Sequence, residues 1–122
     1  MPRAARVVVE GGFSHILSRG NNRAPVFHDD ADFLRYLQFL SDDFRKQHIS
    51  LLHYCLMTNH VHLLVQIAQP EGLRRAMHGL NLRYALAYRK RYHHSGHLWQ
   101  DRFKSLAIDK ESYLLQCAAY VE

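Results

Sequence analysis

The sequence predicts an α+β fold: an antiparallel sheet with two helices on one face, plus a C-terminal helix. Three observations predict it. Short stretches around Ile16 and around Leu63 read as strands, the first alternating roughly with period two. Longer stretches repeat apolar residues at i, i+4, i+7 and i+11, the spacing of one helical face. Gly20-Asn21-Asn22, Thr58-Asn59 and Gln69-Pro70-Glu71-Gly72 punctuate the chain between them as turn signals.

Each element follows in order. Residues 13–19 come after Gly11-Gly12 and predict the first strand. Asp29 and Asp30 suit the N-cap of a helix beginning near Ala31, because a short carboxylate there accepts from first-turn N–H groups. Phe33, Leu37, Leu40 and Phe44 form its apolar stripe, and it ends near His48. Residues 49–57 and 60–67 predict two strands joined by a tight reversal at Thr58-Asn59, a hairpin with His60 and His62 at its turn end. After the break at residues 69–72, a long helix is predicted from about Leu73 to Tyr92, with Leu73, Met77, Leu80, Tyr84 and Ala87 as its stripe. Leu98-Trp99-Gln100 and residues 103–108 are the last strand-like material. A final helix starts at residues 109–111 and carries Tyr113, Gln116, Cys117 and Tyr120 at helical spacing. The first six elements match a split βαβ, ferredoxin-like plan, whose second sheet face is left open for a ligand. Such a plan hosts unrelated functions and decides none of them.

The 122 residues predict a single domain. A hydrophobic fraction of 48% fits a globular chain rather than a disordered one. The net charge of +5 suits a polyanionic partner. Cys55 and Cys117 lie in apolar periodic segments and are expected as free buried thiols, not as a disulfide. Arg3 and Arg6 precede no long apolar core, so no signal peptide is predicted, and no stretch reaches the length of a membrane span. The expected compartment is the cytoplasm.

His60-Val61-His62 is the feature richest in chemistry. Side chains two apart on a strand share a face, so both imidazoles project together while Val61 packs the other way. Neutral histidine is the commonest metal ligand, and the pair makes a two-armed clamp. With no thiolate nearby, an open site for Mg²⁺ or Mn²⁺ is expected rather than a closed zinc site. His15, His28, His48, His53 and His78 read as surface or satisfied core groups.

Tyr113 and Tyr120 share one helical face, as core residues or as a nucleophile; the small residues before Tyr120 leave room for close approach of another element. Residues 74–104 hold eight of the sixteen Lys and Arg residues and a single acid, Asp101. Tyr84, Tyr88, Tyr92, Trp99 and Phe103 are interleaved with them. Cations for phosphates and rings for bases are how single-stranded nucleic acid is held, though a solvated basic face has the same composition.

These signals together resemble a known family. Ser18-Arg19-Gly20-Asn21, Val26-Phe27 and Asp29-Asp30 are followed by Tyr54-Cys55-Leu56-Met57-Thr58-Asn59-His60-Val61-His62-Leu63-Leu64. Gly96-His97-Leu98-Trp99-Gln100-Asp101-Arg102-Phe103-Lys104 and the Asp109-Lys110-Glu111-Ser112-Tyr113 start of the last helix complete the set, with Tyr120-Val121 near the end. The chain resembles the HUH single-tyrosine transposases, in particular the REP-associated, IS200-like branch.

The resemblance implies a catalytic domain over residues 1–122 that nicks and rejoins single-stranded DNA through a 5′-phosphotyrosine. His60 and His62 would hold Mg²⁺ or Mn²⁺, and Tyr120 would be the nucleophile. A single-stranded DNA hairpin is the implied substrate and a homodimer the implied assembly, with no membrane partner. Arg19, Arg74, Arg75, Arg83, Arg89, Lys90, Arg91, Trp99, Gln100, Arg102 and Lys104 are the expected nucleic-acid contacts. In one respect the chain departs from the pattern. The family's third metal ligand follows the tyrosine by about one helical turn, at position 124, past Glu122, so a C-terminal truncation is expected. The alternatives are a non-catalytic single-strand-binding module and an HUH replication initiator or relaxase; a structural zinc protein is more distant.

Overall fold

A computed structural model describes residues 12–109. Their order is β1 (Phe13–Arg19), a 3₁₀ turn (Asn21–Arg23), α1 (Asp30–Lys46), β2 (Ser50–Leu56), β3 (His60–Gln66), α2 (Pro70–Tyr92) and β4 (Lys104–Ile108). All strand pairings are antiparallel, in the order β2-β3-β1-β4. This is the split βαβ arrangement, with β1 and β3 at the centre of the sheet. The predicted final helix, with Tyr113, Cys117 and Tyr120, lies outside the described residues.

Alternation separates the two sheet faces. Ser14, Ile16 and Ser18 of β1 and Val61, Leu63 and Val65 of β3 are buried on the helix side. Ile16, Val61, Leu63 and Val65 join one core with Leu40 and Phe44 of α1 and Leu73, Met77, Leu80 and Tyr84 of α2. A one-residue slip in register would carry this apolar set to the opposite face, so burial enforces the pairing.

Asp29 caps α1, its side chain accepting from the Asp32 N–H at 3.0 Å, as the acidic start predicts. The stripe is wider than the heptad pattern implies, since Tyr36 is fully buried between Phe27 and Tyr84. α2 begins three residues before the predicted Leu73. Pro70 sits in the first turn, where its missing N–H is no loss, and Gly72 packs closely on Gln47. The apparent break at residues 69–72 is therefore the helix start itself. Leu98-Trp99-Gln100 is not a strand: Trp99 makes one isolated bridge to Gly20, and β4 starts at Lys104. Cys55 is a free thiol but only partly buried, because it lies on the sheet face away from the helices. Among the described residues no helix is long and apolar enough to cross a membrane.

A charged cluster ties the start of α1 to the end of α2. The buried Asp32 carboxylate accepts from the His28 N–H at 2.8 Å, from Arg91 at 2.6 Å and from the Tyr92 hydroxyl. Arg91 also forks onto both oxygens of Asp29, at 3.0 and 2.7 Å. Charge-assisted, two-pronged contacts of this kind are the strong ones. Replacing Asp32 with Ala removes the acceptor of the His28 N–H and the Tyr92 hydroxyl and leaves Arg91 with Asp29 alone. The expected loss is roughly 1.5–3 kcal/mol of unfolding free energy, read as a lower urea midpoint.

Candidate active site

The two histidines occupy the first turn-end positions of a central strand. On β3, His60 and His62 point away from the helices; Arg19 of β1 stands opposite His60, and Leu17 opposite His62. On the other side Cys55 of β2 is the partner of His62. Pairing on both edges holds the β3 backbone in place, so the imidazoles are presented from a rigid element rather than from a loop.

Both rings are anchored through Nδ1. The His60 Nδ1–H donates to Asn59 Oδ1 at 2.8 Å. The same amide donates from Nδ2 to the Arg23 carbonyl at 3.2 Å, which fixes which end of the amide accepts. His62 Nδ1 lies 2.9 Å from His15 Nε2. The His60 and His62 rings are 4.9 Å apart between centroids, with planes at 88°. Each ring would therefore bind a cation through Nε2, the arrangement in which the far nitrogen is buttressed by another group. Burial, followed by the neighbouring charges of His15, His60 and Arg19, pushes His62 down to about 4, so this ring is neutral at physiological pH, the form a metal requires. Two imidazole donors fit one side of an open divalent-cation site. Among the described residues no third His, Cys, Asp or Glu completes a cluster around them.

A cavity of about 430 Å³ opens in front of the pair, lined by Leu17, Arg19, Gly20, Arg23, Asn59 and Gln100 as well as both histidines. Its wall is built by close approach. The Gly20 N–H donates to the Asn59 carbonyl at 2.8 Å, and a Cβ on Gly20 would stand 2.3 Å from the Ala24 carbonyl oxygen. Asn22 and Arg23 adopt left-handed backbone (φ 54° and 59°), a conformation seldom taken by arginine. Gln100 is placed by its N–H, which donates to the Arg19 carbonyl at 2.8 Å.

The expected nucleic-acid residues fall into three groups. Arg19 and Gln100 line the histidine cavity, with Arg102 and Lys104 immediately beside them. Arg74, Arg89, Trp99, Gln100 and Arg102 line a second groove of about 500 Å³ between α2 and the segment before β4. Arg75, Arg83, Lys90 and Arg91 line neither. Arg83 faces Asp42 and Asp43 over the Phe39 ring, and Arg91 is held by Asp29 and Asp32. Three residues that touch the site, His15, Arg23 and Asn59, are absent from the sequence-based set. The Met57-Thr58-Asn59 lead-in was a signal for Asn59, whereas nothing in the sequence distinguishes His15. Tyr120 lies outside the described residues.

The sequence model of the IS200-like transposases matches residues 9–122. The chain belongs to the IS200-like transposase family. It is similar in fold to a REP-associated tyrosine transposase solved bound to a REP hairpin, with TM-score 0.70 and 15% identity, covering 95% of this chain and 68% of that one. It is also similar to a candidate transposase from Deinococcus radiodurans R1, with TM-score 0.64 and 21% identity, covering 98% of this chain and 95% of that one. No curated protein sequence matches it significantly. In this transposase-family fold the histidine pair, its Nδ1 partners and the arginine-lined cavity share one end of the sheet.

Two outcomes follow from the site's construction. His62 takes up a proton near 6.5 in the unfolded chain but only near 4 when folded, so acid favours unfolding in that interval. Its contribution to stability is complete above 6.5 and is lost as pH falls towards 4; in NMR its ring signals should stay at neutral-form positions through 6.5. Gly20→Ala should cost roughly 1–3 kcal/mol, because the methyl group meets backbone that has no room to yield, and thermal melting measures it.

Proposed function

We propose that this transposase-family domain cuts and rejoins single-stranded DNA by transesterification, with Tyr120 as nucleophile and His60 and His62 as metal ligands. The observation that carries the reading is the pair of Nδ1-anchored imidazoles on one sheet face, opening into a cavity that Arg19 and Arg23 line. A divalent cation, Mg²⁺ or Mn²⁺, would supply Lewis-acid polarisation of the scissile phosphate. Arg19 and Arg23 offset the phosphate's charge and hold it against the histidines. The Tyr120 phenol loses its proton and its oxygen attacks phosphorus; the bond to the 3′ oxygen breaks, and that oxygen takes up a proton. The products are a 5′-phosphotyrosine and a free 3′-hydroxyl. One phosphodiester replaces another, so a 3′-hydroxyl can reverse the step and join strands without a nucleotide cofactor.

The substrate we propose is a hairpin-forming single strand. The support is the structurally similar REP-associated transposase, which is bound to a REP hairpin, together with the cationic groove that continues from Gln100 past Trp99 and Arg102. A homodimer is part of the same proposal. Family membership favours transposition over the initiator and relaxase alternatives.

A hairpin oligonucleotide labelled at its 3′ end, incubated with the full chain and Mn²⁺, should transfer its label to protein, while a 5′ label should remain on a shorter free strand. Tyr120→Phe should abolish the adduct and leave binding intact. His60→Ala and His62→Ala should each lower cleavage by at least the roughly 10–100-fold that loss of a group behind a metal ligand costs. Salt-dependent binding with no adduct in the wild-type chain would point instead to a module that binds without cutting.

A further inference from the structure

His15 stands on β1 beside the catalytic pair and is no part of the His-x-His motif. Its strand partner is Leu64, while Leu17 faces His62, so His15 and His62 are diagonal neighbours on the same sheet face. Diagonal positions on paired strands lie within reach of ring side chains. Here the reach is used: His15 Nε2 and His62 Nδ1 are 2.9 Å apart, with ring centroids at 5.1 Å and planes tilted by 40°.

Between two neutral imidazoles this contact holds one proton, and it can be arranged in two ways. In one, His62 Nδ1–H donates to His15 Nε2, and the lone pair of His62 is on its own Nε2. In the other, His15 Nε2–H donates to His62 Nδ1, and the proton of His62 occupies the nitrogen that would meet the cation. Only the first arrangement lets His62 act as a ligand. His60 has that arrangement already, enforced by the Asn59 amide. A ring without such a partner favours its proton on Nε2, the unsuitable nitrogen.

We propose that His15 is a positioning residue: it accepts from His62 Nδ1–H, fixes that ring's tautomer and orientation, and so makes the two imidazoles equivalent Nε2 donors. The inference rests on the reading of His60 and His62 as metal ligands. His15 is well suited to the task, because its backbone lies on a central strand between the buried residues Ser14 and Ile16. The clamp would then have two buttresses of different chemistry: an amide from the turn behind His60, and an imidazole from the neighbouring strand behind His62.

The test uses the full chain labelled with ¹⁵N, first without metal. In the wild type the ring nitrogens of His62 should report the proton on Nδ1. In His15→Leu that proton should move largely to Nε2, with the His60 ring unchanged as an internal control of folding. Mn²⁺ affinity, followed by electron paramagnetic resonance, should fall 10- to 100-fold. His15→Gln, whose side-chain oxygen can accept the same hydrogen bond, should restore much of both signals, a rescue that a merely space-filling role does not produce. An unchanged His62 tautomer in His15→Leu, or Mn²⁺ affinity within about twofold of wild type, overturns the inference. A wild-type chain that binds no Mn²⁺ overturns the ligand reading instead, and the metal-free tautomer still decides whether His15 orients the ring.

Discussion

The pairing of β3 between β2 and β1 is the constraint on which the site depends. Val61, Leu63 and Val65 must face the helices to complete the core. With a period of two, that requirement alone sends His60 and His62 to the opposite face. The apolar residues therefore aim the histidines. Because β3 is also bonded along both edges, backbone hydrogen bonds hold the aim that packing sets. The same pairing brings Arg19 opposite His60 and places His15 diagonally behind His62.

The cations of this chain divide by duty, and composition does not reveal the division. Arg91 closes the junction of α1 and α2 through Asp29 and Asp32, and Arg83 leans on Phe39 between Asp42 and Asp43. Arg19, Arg23 and Arg102 instead stand at or beside the histidine cavity. A charge already met by a carboxylate has less to offer a phosphate, so the count of sixteen Lys and Arg residues overstates the footprint. Gln100 joins the two lined spaces, because its backbone is pinned to the end of β1 while its neighbours Trp99 and Arg102 face the second groove.

Much of the scaffold was legible. The limits of β1, the N-cap at Asp29, the hairpin reversal and the strand that presents His60 and His62 all follow from patterns within a few residues. The errors share one cause. Pro70 and Gly72 punctuate a sequence whether they end a segment or open a helix, and only packing against Gln47 decides. Leu98-Trp99-Gln100 has the composition of a strand, but its backbone finds a single bridge at Gly20, and the Trp99 indole turns to the Asn81 carbonyl. Tyr36 is buried because Phe27 and Tyr84 come from elsewhere in the chain to surround it.

The sequence by itself determined the His-x-His motif, the strand on which it sits and the single face that both rings share, because the period of a strand is a local property. Only the tertiary structure decided which groups stand behind the two rings. Asn59 is adjacent in sequence, yet its amide is oriented by the Arg23 carbonyl from a separate turn. His15 is forty-seven residues from His62 and meets it only because β1 and β3 pair in this register. Hydrogen bonds to a ring nitrogen depend on distances of a few ångströms, and sequence separation carries no information about those until the sheet is formed.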